Sequence, residues 1–165
     1  MQLEEFYQYK NQLMSDILTD ENIVRLIDDT VPIDKAYTLA YKNVFPYEYV
    51  PDTIEEAKTF VCFDVDIQEA PTKTFLYPTL HIWVFSHKTL LRLKEGGVLV
   101  DKLVSEIAKK INGSRFYGLG ELDLKNVRRF APLTDYQGKS MIFTACDWNR
   151  PAPRDIIAPT NRKRG

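Results

Sequence analysis

Two aspartates, Asp64 and Asp66, alternate with apolar residues in Thr59-Phe60-Val61-Cys62-Phe63-Asp64-Val65-Asp66-Ile67, and His81 stands in the next apolar run, Thr79-Leu80-His81-Ile82-Trp83-Val84-Phe85. Carboxylates two positions apart on a strand share a face at about 7 Å, a spacing that suits a divalent cation when further ligands converge. A small metal-dependent enzyme built on Asp64, Asp66 and His81 is one reading. The competing reading is the wet face of a half-exposed strand, which the alternation explains without a ligand. His87 is the only other histidine. Six residues along a strand is about 20 Å, too far for both imidazoles to bind one ion. No CxxC, HxH or HExxH spacing supplies a ligand set.

Other motifs fail on order or spacing. Gly118-Leu119-Gly120 follows a helical stretch and precedes a strand-like one. A dinucleotide fingerprint needs strand then helix, and a third glycine. Gly138-Lys139-Ser140 has the closing triplet of a phosphate loop, but Leu133 stands where the first glycine belongs. Cys62 and Cys146 have no histidine-and-base arrangement around them, and GxSxG is absent. Strand cysteines of this kind behave as small hydrophobes. No catalytic, cofactor-binding or metal-binding residue is expected, and no cofactor.

The elements that would position these residues read as follows. Leu3, Phe6, Tyr7, Lys10, Leu13, Met14 and Ile17 recur at three and four, predicting an amphipathic helix over about 2–18. Thr19 or Asp20 caps a second helix carrying Ile23, Val24, Leu26 and Ile27, and Asp28-Asp29 ends it, because acidic side chains oppose the negative helix C-terminus. Residues 30–57 are an arm rich in proline and aromatics, with Pro32, Pro46 and Pro51 among Tyr37, Tyr41, Phe45, Tyr47 and Tyr49. Such spacing excludes a long helix or a central strand, so the aromatics anchor the arm on its own core or on a neighbouring chain.

Strands are then expected at 59–67 and 79–85, with a turn at 70–73. In the first, Val61, Phe63, Val65 and Ile67 face one way and Cys62, Asp64 and Asp66 the other. The second is apolar on both faces and reads as central. A helix follows through Val100, Leu103, Val104, Ile107, Ala108 and Ile111, stopped by Asn112-Gly113. Two more strands, about 121–130 and 139–147, are joined by a turn at Asp135-Tyr136-Gln137-Gly138. The order α–α–β–β–α–β–β predicts an α+β fold. Its mostly antiparallel four-stranded sheet carries helices packed on one side, after an N-terminal helical hairpin. A single α+β domain spans 1–149, with hairpin 1–29, arm 30–57 and sheet-and-helix core 58–149. Residues 150–165 form an extended basic tail.

Charge is unevenly spread. The net of −1 resolves into −8 over residues 1–57, +3 over 58–149 and +4 over 150–165. Complementary ends can steer one copy, or another protein, onto the chain. The composition, 44% hydrophobic and 27% charged, suits a folded chain of 165 residues without disulfides or metal. No run approaches ~20 apolar residues, so no membrane partner is expected. The start MQLEEFYQYK reads as neither signal nor transit peptide, and two cysteines so far apart suit a reducing compartment.

Six stretches resemble a family of small proteins from the structural modules of long-tailed phages of Gram-positive bacteria. They are YKNQLMSDILTDENIVRLID (9–28), NVFPYEYVPDT (43–53), FDVDI (63–67), FLYPTLHIWVFSHK (75–88), EIAKKINGSRFYGLGELDL (106–124) and FAPLTDYQGKSMIFTACDWN (130–149). The α+β layout is similar to phage tail-terminator proteins. The resemblance implies a virion protein at the head–tail junction, assembled in the host cytoplasm. It would form a homo-oligomeric ring, usually of six, that caps the tail tube and joins it to the head-side connector or stopper. A tail sheath would lie nearby, and genomic DNA would pass through without specific binding. In that group a basic and a polar residue often precede the aspartate at the start of the main helix; here Leu99 and Val100 precede Asp101.

The expected subunit contacts are Phe45, Tyr47 and Tyr49 on the arm and Arg150, Arg154, Ile156, Ile157, Arg162, Lys163 and Arg164 on the tail. Two rivals to the terminator reading remain beside the metal-dependent enzyme. One is a portal-proximal adaptor or stopper of the neck. The other is a nucleic-acid-binding module using Lys125, Arg128, Arg129 and the tail.

Overall fold

A computed structural model describes residues 5–51, 57–67 and 74–149. The tail contacts Arg150, Arg154, Ile156, Ile157, Arg162, Lys163 and Arg164, and the turn expected at 70–73, lie outside the described residues.

Helix α1 spans Phe6–Thr19 and α2 spans Glu21–Ile27. Of the two candidate caps, Asp20 does the work. Its carboxylate accepts from the backbone N–H of Asn22 at 3.1 Å and of Ile23 at 3.3 Å, answering donors that the first helical turn leaves unpaired. Thr19 instead donates its hydroxyl back to the Ser15 carbonyl at 2.9 Å. Beyond α2, Asp28 accepts from the Thr30 N–H and hydroxyl, turning the chain where the helix ends. A 3₁₀ segment, Ile33–Leu39, follows.

The strands are β1 (Val44–Phe45), β2 (Thr59–Ile67), β3 (Phe75–Leu76), β4 (Pro78–His87), β5 (Asp123–Phe130), β6 (Tyr136–Thr144) and β7 (Asp147–Trp148), with α3 (Leu99–Ile111) between β4 and β5. The main sheet runs β1-β2-β4-β6-β5, and β3 and β7 pair separately. All main-sheet pairings are antiparallel except β1 with β2, where Val44 aligns with Val61. The fold is α+β and mostly antiparallel, as the element order predicts.

Two details differ. The sheet has five strands rather than four, because Val44-Phe45 of the proline-rich arm adds to the β2 edge; two residues are too few to show a period. The turn expected at 135–138 lies earlier in the chain, since Tyr136, Gln137 and Gly138 are paired strand residues opposite His87, Ser86 and Phe85. Gly138 is required there by a close approach of backbones. A Cβ on it would overlap the Val84 carbonyl oxygen and lie 2.6 Å from Phe85 Cβ.

The alternation read in 59–67 builds two cores. Val61, Phe63 and Val65 join Leu80, Ile82, Val84, Met141 and Phe143 beneath the helices. On the opposite face Phe45, Phe60, Cys62, Phe85 and Tyr136 form a second cluster, against which Tyr49, Trp83, Phe130 and Leu133 pack. At the start of α3, Asp101 meets Lys139 of β6 at 2.8 Å, an ion pair between the helix and the sheet.

Candidate interaction surface

The arm is fastened from inside. Phe45 stacks on Tyr49 with ring centroids 4.0 Å apart and planes 10° from parallel, and both rings abut Phe60. The Cys62 thiol donates to the Tyr49 carbonyl at 3.7 Å. Burial pushes that thiol up to about 12 from 9.0; the Tyr49 bond opposes the shift and Glu48 adds to it. Asn43 carries the arm across to β2, donating its side-chain N–H to the Thr59 carbonyl at 3.0 Å and accepting at its backbone oxygen from Val61.

These contacts divide the three expected aromatic anchors. Phe45 is 5% exposed and belongs to the subunit's own second core, so in this structure it offers no surface to a neighbour. Tyr49 is half-buried beside it. Tyr47 remains on the surface at 44% exposure, edge-on to Phe45 and 6.5 Å from Tyr41, itself 59% exposed. Tyr41 was not among the expected contacts. Its φ of +59° is a left-handed conformation that a tyrosine rarely adopts. A bond from its N–H to the Val44 carbonyl at 2.8 Å holds it there. Its ring is thereby set beside that of Tyr47. Nothing in the local sequence signals this, because neither glycine nor asparagine marks the position.

The residues of the metal reading are engaged with one another or with lysine. Asp64 Oδ1 accepts from the Val65 N–H at 2.8 Å and lies 2.5 Å from Lys10 Nζ on α1. His81 stacks on Trp83, and its Nε2 lies 3.2 Å from Asp66 Oδ2 without hydrogen-bond alignment. His87 caps a short 3₁₀ turn through Thr89. Among the described residues no group of three or more His, Cys, Asp or Glu is placed to hold a metal ion. Among the same residues, no helix is long and apolar enough to cross a membrane.

The basic residues Lys125, Arg128 and Arg129 all lie on β5, the terminal strand of the sheet, and all are exposed. A shallow cleft of about 760 Å³ opens between the end of α2, the first half of α3 and residues 89–95. Charges of both signs line it, including Arg25, Asp28, Arg92 and Glu106. Lys102 donates to Glu95 across its rim at 2.7 Å and holds that carboxyl below the usual carboxylate range. The sequence carried no periodic signal for this cleft, which segments far apart in the chain make together.

Among known protein families, the YomW family model matches residues 20–145, more than half of the chain. The matched segment begins at Asp20, the cap of α2, and takes in the whole five-stranded sheet. No curated protein matches the chain significantly.

Proposed function

This chain belongs to the YomW family, a Bacillus phage-type protein family, and from that premise we propose that it is a structural virion protein of the head–tail neck. In this reading it is a tail terminator. Copies form a closed ring, commonly of six, that caps the tail tube and meets the head-side connector or stopper. The sheath is a further neighbour where one exists, and DNA passes through without specific recognition. The protein acts through its surfaces and makes or breaks no covalent bond.

The observation that carries this reading is the pair Tyr41 and Tyr47. Two large aromatic rings stand exposed on a segment that Phe45 and Tyr49 lock to the second core. Exposed aromatic rings on a rigid base lose little conformational freedom on contact, which suits a docking surface. The N-terminal portion is acidic and β5 is basic, opposite charges of the kind that head-to-tail contacts between copies can bring together. The resemblance of the six stretches to small proteins of phage structural modules, and of the α+β layout to tail-terminator proteins, adds to this.

Imaging of phage particles with the protein tagged tests the reading. Ring density atop the tail tube is the expected result. Density seated against the portal favours an adaptor or stopper instead. A strict monomer, both purified and in particles, overturns the assembly reading.

A further inference from the structure

One aromatic ring of the subunit stands almost wholly in water. Phe116, in the loop between α3 and β5, is 86% exposed, the most of any large apolar side chain among the described residues. Its neighbours Tyr117 and Leu119 are buried. The loop is built to hold this arrangement. Backbone bonds close its ends, from the Gly113 N–H to the Leu122 carbonyl at 2.7 Å and from the Leu122 N–H to the Ser114 carbonyl at 3.0 Å. The Phe116 N–H donates to Ser114 Oγ at 3.3 Å, and the Tyr117 hydroxyl donates to Asp16 of α1 at 2.9 Å. Gly118 lies so close to α1 that a Cβ on it would overlap the Tyr9 ring. A compact loop pinned in this way has little freedom left to lose on contact, and a rigidly presented aromatic ring makes an effective interface anchor.

The subunit also carries a seat for such a ring. The cleft between the end of α2, the first half of α3 and residues 89–95 has an apolar part besides its charges. Leu26, Leu93 and Leu99 are only partly buried there and Leu90 is 37% exposed, so these side chains are open to solvent. Ring and seat lie apart within one subunit. Lys110 near the end of α3 meets Asp20 at the start of α2, while the end of α2 and the first half of α3 share the cleft, so the two helices run in opposite directions. The 13 residues of α3 span about 20 Å. Phe116 therefore projects at one end of this helix pair, and the cleft opens toward the other. The charges suit a contact between them. Arg115, next to Phe116, has a side chain 77% exposed, and Asp29 on the cleft is exposed with no ion pair among the described residues.

We propose that Phe116 of one copy inserts among Leu26, Leu90, Leu93 and Leu99 in the cleft of the next copy, with Arg115 drawn to that copy's Asp29. Two different patches meet, so the contact is heterologous and closes into a ring or extends as a filament. Burial of the ring supplies the affinity, and the charges favour this orientation. The contact rests on the reading of the protein as a self-assembling component.

The test compares the mass in solution of the full chain, of Phe116→Ala and of Leu90→Glu, with thermal melts to verify folding. The parent should form a multimer. Each variant should melt as the parent does and associate at least about thirtyfold more weakly, the loss expected of an interface anchor. Phe116→Ala keeps an intact cleft and Leu90→Glu an intact ring, so an equimolar mixture of the two should form pairs that grow no further. A folded Phe116→Ala chain that assembles as the parent does overturns the contact and leaves the ring reading standing. Loss in Phe116→Ala with full assembly of Leu90→Glu, or a mixture that forms no pairs, overturns the cleft as the seat. A parent that stays monomeric in solution at all concentrations overturns this contact, and imaging of particles then decides the ring reading separately.

Should Leu90→Glu not fold, a cysteine pair decides. Phe116→Cys and Leu90→Cys, in a Cys146→Ser background, should cross-link between copies of the assembled protein. Assembly without cross-linking overturns the contact.

Discussion

The rings of Phe45 and Tyr49 lie parallel at 4.0 Å, four residues apart in a segment with no regular helix or long strand. That stack, pressed on Phe60, converts a proline-rich connection into a fixed part of the surface. It also separates two roles that look alike in the sequence. Phe45 supports the fold, and Tyr47 faces outward.

Replacing Phe45 with Ala should therefore cost the isolated subunit about 3–5 kcal/mol, the range for losing a buried phenylalanine. Tyr47→Ala should change subunit stability by no more than about 0.5 kcal/mol, as for ordinary surface positions, and should weaken assembly instead. Urea denaturation of both variants, with the mass of the assembled species, checks the division. Equal destabilisation by both would contradict it.

Gly138→Ala should destabilise by at least about 2 kcal/mol, through backbone displacement at a crowded strand position. The added methyl meets the Val84 carbonyl and Phe85, neither of which can swing away. Gly113→Ala, where φ is +76° and the space is open, should cost only about 1 kcal/mol. Chemical denaturation of the pair ranks them, and the reverse order would refute the steric account.

Alkaline pH should loosen the fold. Cys62 is pushed up to about 12 from 9.0, chiefly by burial, and the Tyr117 hydroxyl is also raised, by burial and then by its bond to Asp16. Between those limits the unfolded chain has lost the thiol proton that the folded chain keeps, so stability falls as pH rises. It is fully present below about pH 9 and declines as pH climbs toward 12. Thermal melts across this range should show the decline. A thiol reagent at neutral pH should modify exposed Cys146 in the native protein and reach Cys62 only on unfolding.

Asp20→Ala should cost about 1–2 kcal/mol, by removing the cap of α2. The same carboxylate lies 3.3 Å from Lys110 near the end of α3, so its loss also removes one ion pair between the two helices. Asp20→Asn keeps the cap and loses the charge, and should recover most of the stability. Equilibrium unfolding of the two variants separates the contributions.

The local pattern of the chain was enough for much of this architecture. The alternation of Phe63, Val65 and Ile67 with Asp64 and Asp66 determined the strand and the face on which each of these residues lies, because a strand has a period of two. The stripe from Val100 to Ile111, with Asn112-Gly113 behind it, determined the long helix for the equivalent reason at period 3.6. Tertiary structure decided what no local pattern encodes. It paired Val44-Phe45 with β2, placed Tyr136–Gly138 in a strand, and buried Phe45 while leaving Tyr47 in water. A two-residue strand and an irregular aromatic segment have no periodicity of their own. Their positions follow from which long-range neighbours offer a free backbone edge or an apolar face, and those neighbours exist only once the sheet has formed.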